Sequence, residues 1–281
     1  MVLFSLLFFL FSTKLRAEEV GPPIQVKQGE VVSLTLTLKE SARLVSGKFL
    51  DRPIPFFQLH PQISPNEFGV IIGIDLDQPA GSYPFSVAWR EGESIENREY
   101  QINVIPASFG TEELTLPDSM VNPDPKSLAR IKKEQERLKR IFDRSADRRF
   151  WEGEFIVPAE GNVKKTFGLR RIMNGEARNP HTGEDISAPL GTPVEASNGG
   201  KVILVDEFYF NGRSVVIDHG LGLFTMYFHL SEAFVKEGKM VKGGEQIGTV
   251  GKSGRATGPH LHWGARLNGA RVNPFSLVGV K

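Results

Sequence analysis

The 281-residue sequence contains no cysteine. That absence excludes disulfides, thiolate zinc sites, iron–sulfur clusters, a cysteine nucleophile and a lipid-modified N-terminal cysteine. Any metal must therefore sit on histidine, aspartate or glutamate. An excess of either charge is missing too: 34 Lys and Arg face 33 Asp and Glu, a formal net charge of +1, which argues against a general nucleic-acid binder. The apolar run Val2 to Phe11 (VLFSLLFFLF) has only ten residues, about half of the ~20 that a membrane-spanning helix needs. What is present is globular in character, 40% apolar and 24% charged. The length suits one large domain or two ordinary ones.

The run Val2 to Phe11 matches the apolar core of a secretory signal peptide, with STKLRAEE after it and Ala17 as the cleavage point. The competing readings are an uncleaved anchor and a buried helix. Cleavage would remove Lys14 and Arg16, leaving 32 basic against 33 acidic residues. The expected product is near neutral and exported, to a bacterial periplasm or secreted beyond it.

Three regions with different periodicities follow. Over residues 18–107 apolar and polar residues alternate: Val32, Leu34, Leu36 and Leu38, then Tyr83, Phe85, Val87 and Trp89, then Tyr100, Ile102 and Val104. Alternation puts one face of each strand on a core, and the Gly/Pro punctuation between runs predicts an antiparallel, immunoglobulin-like β-sandwich. His60 reads as a surface residue. Residues 108–150 form a linker with one clear helix. Asp124 is its expected N-cap and Pro125 its first residue, with Leu128, Ile131, Leu138, Ile141 and Phe142 at helical spacing. Ten basic and five acidic residues lie between Asp124 and Arg149. Such a helix could be a solvated connector, a basic face for an anionic wall polymer, or an element packed near the active site. Residues 151–281 hold five of the six histidines, and from Gly161 onward 20 of the 29 glycines. Short apolar runs between glycine turns predict an all-β domain with tight turns.

The chemistry concentrates in His181-Thr-Gly-Glu-Asp185 and in His260-Leu-His262, with His229 ending LFTMYF. On a strand, residues i and i+2 share a face. His260 and His262 then project together while Leu261 and Trp263 point to the core. His181 and Asp185 would be about 13 Å apart on a straight strand, and Gly183 permits a bend that lets both reach one ion. Two imidazoles and a carboxylate leave a tetrahedral zinc with an open position, the pattern of catalytic zinc. Spacing alone leaves open that these are satisfied core histidines.

From about Phe155 to Phe275 the sequence resembles the M23 peptidases, the lysostaphin/LytM-like zinc endopeptidases of bacterial cell walls. The resemblance is carried by PAEGNVKKTFGLRR, PHTGEDISAPLGTPVEASNGGKV, VVIDHGLGLFTMYFHLS and VKEGKMVKGGEQIGTVGKSGRATGPHLHWG. It implies an open groove in a β-sheet, one Zn2+ on His181, Asp185 and His262, and His229 and His260 as the non-ligand catalytic histidines. It implies peptidoglycan as the partner and metal-assisted hydrolysis of cross-links or stem peptides as the reaction. Arg170, in FGLRR, sits where the family commonly has an arginine near the groove, for substrate binding or a structural ion pair. Residues 174–180 and 208–213 are the candidate groove walls. HExxH is absent, so no glutamate base of that type is expected. Glu184 reads as a surface residue, His219 as a turn residue, Asp218 as structurally unremarkable, and Tyr227 as facing either the site or the core. The competing function is a non-catalytic, peptidoglycan-binding regulator of a cell-wall amidase. A contact of the N-terminal region with the groove is an accompanying expectation.

Overall fold

The computed structural model describes residues 13–17 and 21–280; the apolar run Val2 to Phe11 lies outside them. Among the described residues no helix is long and apolar enough to cross a membrane.

The first unit comprises β1 (Thr13–Arg16), β2 (Ile24–Lys27), β3 (Val31–Thr37), β4 (Ala42–Phe49), β5 (Arg52–Pro53), β6 (Phe56–His60), β7 (Ser64–Gly73), β8 (Gly81–Glu91) and β9 (Ser94–Ile105). They form two sheets, ordered β1-β3-β7-β6 and β2-β9-β8-β4-β5. The alternating residues meet between them: Leu34, Leu36, Phe85, Val87, Trp89, Tyr100, Ile102 and Val104 share one buried cluster. The pairing is antiparallel except at two edges, where β1 joins β3 and β2 joins β9 in parallel. Leu15 and Ala17 lie buried in this cluster, so cleavage after Ala17 would remove an edge strand. His60 is exposed.

The middle segment contains β10 (Thr111–Leu114), the one-turn α1 (Asp118–Val121) and the long α2 (Pro125–Phe142). The Asp124 side chain accepts from Lys126 N at 2.8 Å and Ser127 N at 3.1 Å, the cap that starts α2. This helix is docked. Leu138, Ile141 and Phe142 pack on Leu204, Phe208, Val216, Met226 and Phe228, and Arg137 pairs with Asp206 and Glu237.

The remaining strands are β11 (Asn162–Val163), β12 (Arg170–Met173), β13 (Glu176–Arg178), β14 (Gly183–Ser187), β15 (Pro193–Glu195), β16 (Gly200–Phe208), β17 (Gly212–Gly220), β18 (Leu223–Leu230), β19 (Glu232–Ala233), β20 (Met240–Val241), β21 (Gln246–Thr249), β22 (His260–Leu267) and β23 (Ala270–Val272). The main sheet runs β11-β14-β22-β18-β17-β16-β20. The structure is thus mostly β, and β22 lies between β14 and β18. Leu261, Trp263 and Tyr227 point into a core shared with Ile247 of the β15-β21-β19 sheet; period-two alternation then puts His260 and His262 on the opposite face. Between the two units, Val31, Phe57 and Ile71 pack with Trp151, Phe155, Leu267 and Val272.

Candidate active site

Strand register brings the site together. Asp185 on β14 is the direct antiparallel neighbour of His262 on β22, and Phe228 on β18 is its neighbour on the other side. Phe228 stacks on the His262 ring with a 5.5 Å centroid separation and a 4° interplanar angle, fixing its plane. His181 arrives from the loop before β14, its N–H donating to Leu169 O at 2.9 Å.

Three donor atoms converge. His181 Nε2 lies 2.7 Å from His262 Nδ1, and Asp185 Oδ1 lies 3.3 Å from the former and 3.1 Å from the latter. His181 Nδ1–H donates to Thr166 O at 3.2 Å, which leaves a lone pair at Nε2. Burial pushes His181 down to about 4, opposed by Asp185. Burial alone would raise Asp185, but hydrogen bonds and charge from His181 and His262 hold its carboxyl far below the usual range. A neutral imidazole and an ionised carboxylate are what a metal ion requires of its ligands. Lone pairs crowded this closely call for a proton or a cation between them. The donor set, two nitrogens and one oxygen, fits zinc.

Gly183 has a further role. It lies within β14, and a Cβ there would come 2.6 Å from His262 Nε2 and 2.6 Å from Trp263 O. The missing side chain makes room for the His262 ring. Glu184 corrects the surface assignment. It is buried, its Oε2 accepts from Thr166 N at 2.7 Å, and burial raises its pKa. Thr166 in turn accepts from Asp185 N at 3.0 Å through its hydroxyl and from His181 through its carbonyl, so Glu184 braces both.

His229 and His260 lie beside this cluster, ring centroids 4.7 Å apart. His260 Nε2 is 3.8 Å from Asp185 Oδ1. Each donates Nδ1–H to a backbone carbonyl at 2.8 Å, His229 to Ser253 and His260 to Gly258, which in the neutral ring puts the lone pair on Nε2. Burial, with His262 and His260 nearby, pushes His229 down to about 3. His229 also has φ of +63°, a left-handed conformation that costs on the order of 1 kcal/mol or more outside glycine. Its N–H bond to Asn211 O at 2.9 Å helps to hold it there.

The other residues singled out in the sequence lie away from the cleft. His219 is not in a turn: it is a buried residue of β17, with Nδ1–H donating to Gly199 O and Nε2 accepting from the Thr225 hydroxyl, both at 2.7 Å. Asp218 accepts from Ser145, Ala146 and Gly220, tying the loop after α2 to the sheet. The Tyr227 hydroxyl accepts from Ser197 N at 2.8 Å, in the core. Arg170 is exposed. Strand alternation instead turns its neighbour Arg171 into the cleft.

The cleft is a cavity of about 80 Å³ lined by Glu112, Leu114, Leu116, Arg171, Met173, Arg255 and Thr257 besides the site residues. Three of these come from the middle segment, from the stretch that precedes its expected helix. β10 adds to the edge of β12 in parallel, Glu112 opposite Arg171. The stretch after it is gripped by the two expected walls. Asn174 pairs its amide with Leu116, Nδ2 donating to O and Oδ1 accepting from N, each at 2.9 Å. Arg178 donates to Val121 O at 3.1 Å, and Tyr209 OH to Ser119 O at 2.9 Å.

The profile of peptidase family M23 matches residues 179–274, which include both histidine motifs. This stretch of the chain is similar to that family. Over 116 residues it is 50% identical to the DD-carboxypeptidase/endopeptidase Mpg of Neisseria meningitidis, covering 41% of this chain and 27% of that protein. It is 39% identical over 120 residues to the peptidoglycan DD-endopeptidase ShyA of Vibrio cholerae, covering 42% and 28%. The chain thus matches little more than a quarter of either relative. A crystal structure assigned to peptidase M23 from Pseudomonas aeruginosa superposes with a TM-score of 0.68 at 27% identity, over 93% of this chain and 97% of that one.

Proposed function

We propose that the protein is an exported zinc endopeptidase that hydrolyses peptide bonds in peptidoglycan cross-links or stem peptides. The observation carrying this reading is the convergence of His181 Nε2, Asp185 Oδ1 and His262 Nδ1 within 3.3 Å of one another, with two further imidazoles alongside. These three residues would hold the ion. Zinc at such a site supplies Lewis acidity, polarising a carbonyl and acidifying water. The chain's own residues do the rest. His229 and His260, pinned through Nδ1, present Nε2 to take a proton from the attacking water and return it to the leaving amine. His229, held neutral by burial, is in the state that accepts a proton. The names of the relatives and the leader-like segment Val2 to Phe11 support a wall substrate outside the cytoplasm, the periplasm first.

In this conformation the cavity has room for a few waters only, at ~30 Å³ each, because β10 and the residues after it line its mouth. Peptide entry requires this segment to leave. Incubation of purified sacculi with wild type and with His262→Ala tests the assignment. The wild type is expected to release soluble peptides at least 100-fold faster, and metal analysis to find one zinc per wild-type chain and far less in the variant. Equal release would end the hydrolase reading.

A further inference from the structure

The cleft holds cations that the hydrolytic chemistry leaves unused. Arg171 Nε and Glu112 Oε2 are both buried, 3.4 Å apart, and neither makes a hydrogen bond. Arg171 Nη2 is also 3.9 Å from Asp185 Oδ2. Arg255 lies across the same cavity with its guanidinium 4.1 Å from the Phe210 ring centroid, its Nη1 donating to Met120 O at 3.2 Å. It has no carboxylate partner among the described residues. Burial, with Arg171 and Arg178 nearby, lowers its pKa to about 10. Once Asp185 serves a divalent cation, positive charge in this cavity exceeds negative. A guanidinium fork binds carboxylate best through two parallel bonds of ~2.8 Å, a geometry that Glu112 does not reach.

We propose that Arg171, supported by Arg255, is a subsite for a free carboxylate on the substrate peptide, and that Glu112 is an internal stand-in for it. The proposal rests on the endopeptidase reading and gives it a substrate class: an extended peptide with a carboxylate close to the scissile bond. Such a peptide replaces β10 along the edge of β12, with main-chain pairing supplying affinity and the carboxylate supplying register. The loose Glu112 contact makes the exchange favourable, since the incoming carboxylate can complete the fork that Glu112 leaves incomplete.

The test uses the full chain and a cross-linked muropeptide dimer released from sacculi by a muramidase. It is compared with the same dimer after its carboxyl groups are converted to carboxamides. The wild type is expected to cleave the acid form with kcat/KM at least tenfold above the amide form. Arg171→Gln should lower the rate on the acid form at least fivefold more than the rate on the amide form, erasing the preference, and Arg171→Lys should retain part of it. Glu112→Gln should raise the rate on the acid form severalfold. Equal cleavage of both forms by the wild type overturns the subsite. So does an equal loss on both forms in Arg171→Gln, which would make Arg171 a positioning residue for Asp185. An unchanged rate in Glu112→Gln overturns the stand-in. A binding measurement separates these failures from failure of the hydrolase reading: fluorescently labelled dimers titrated with chelator-treated protein. Tenfold tighter binding of the acid form, lost in Arg171→Gln, supports the subsite even if neither form is cut; equal binding overturns it.

Discussion

His219 lies in the same sheet as His229, His260 and His262, yet its ring is enclosed, edge-on to Phe155 at 5.1 Å, and bonded at both nitrogens. Burial pushes it down to about 4, against ~6.5 for a free histidine. Between those values the unfolded chain binds a proton and the folded chain does not. The contribution of His219 to stability is therefore complete above about pH 6.5 and is lost as the pH falls toward 4. Urea unfolding at several pH values, for wild type and His219→Gln, checks this. The variant is expected to be less stable at neutral pH, with the gap narrowing as the pH drops; a constant gap contradicts it. The same distinction explains what could be read beforehand. His181, Asp185, His229, His260 and His262 occur in motifs, and strand alternation separates the faces of β22 without coordinates. Nothing in the sequence marks Glu184 as buried or His219 as enclosed, because burial is set by strands far away in the chain.

At the scale of elements, β10 lies along the mouth of the cleft. Its parallel register with β12 puts Thr111 opposite Arg170 and Leu114 opposite Met173. The cysteine-free background permits a clean lock, since Thr111→Cys with Arg170→Cys can form only one disulfide within the chain. The oxidised double variant is expected to lose at least 90% of sacculus-degrading activity and to regain it on reduction, as measured by dye release from labelled sacculi. Full activity in the oxidised form would show that β10 need not move. This strand was illegible as an occupant of the cleft. TEEL has neither a strong apolar pattern nor β-branched richness, and its place is set by the β12 edge and by the Asn174, Arg178 and Tyr209 contacts that follow. α2 was legible as a helix from its cap and spacing, but not as a docked one, because the apolar surface it covers belongs to β16, β17 and β18.

Across the whole molecule, the sandwich and the C-terminal unit share a buried apolar interface and an ionic cluster in which Arg271 meets Asp75 and Asp77. Arg271 donates to Asp75 through Nη2 at 2.5 Å, Nε at 3.0 Å and its backbone N at 2.8 Å. Burial alone would raise Asp75, but these bonds and the Arg271 charge hold it below the usual carboxylate value. The pair thus stabilises the interface above about pH 4 and weakens as the pH falls below that. Asp75→Asn is expected to cost about 1–3 kcal/mol because it leaves the partly buried Arg271 with only the more exposed Asp77 carboxylate, 2.9 Å away, as its anion. Thermal unfolding should show the loss, and Asp75→Asn with Arg271→Leu should recover part of it. A double variant no better than the single one would place the cost elsewhere.

Local pattern determined much of this protein: the alternating strands, the capped helix, the glycine-turned β domain and the five chemistry-bearing residues all follow from neighbours a few positions apart. Tertiary structure alone decided that Gly183 is a space for a ring, that Arg171 and not Arg170 faces the cleft, and that the supposed linker lies along it. Those outcomes depend on which strand edges meet and on what each meeting excludes from water, and contacts between distant segments leave no period in the sequence.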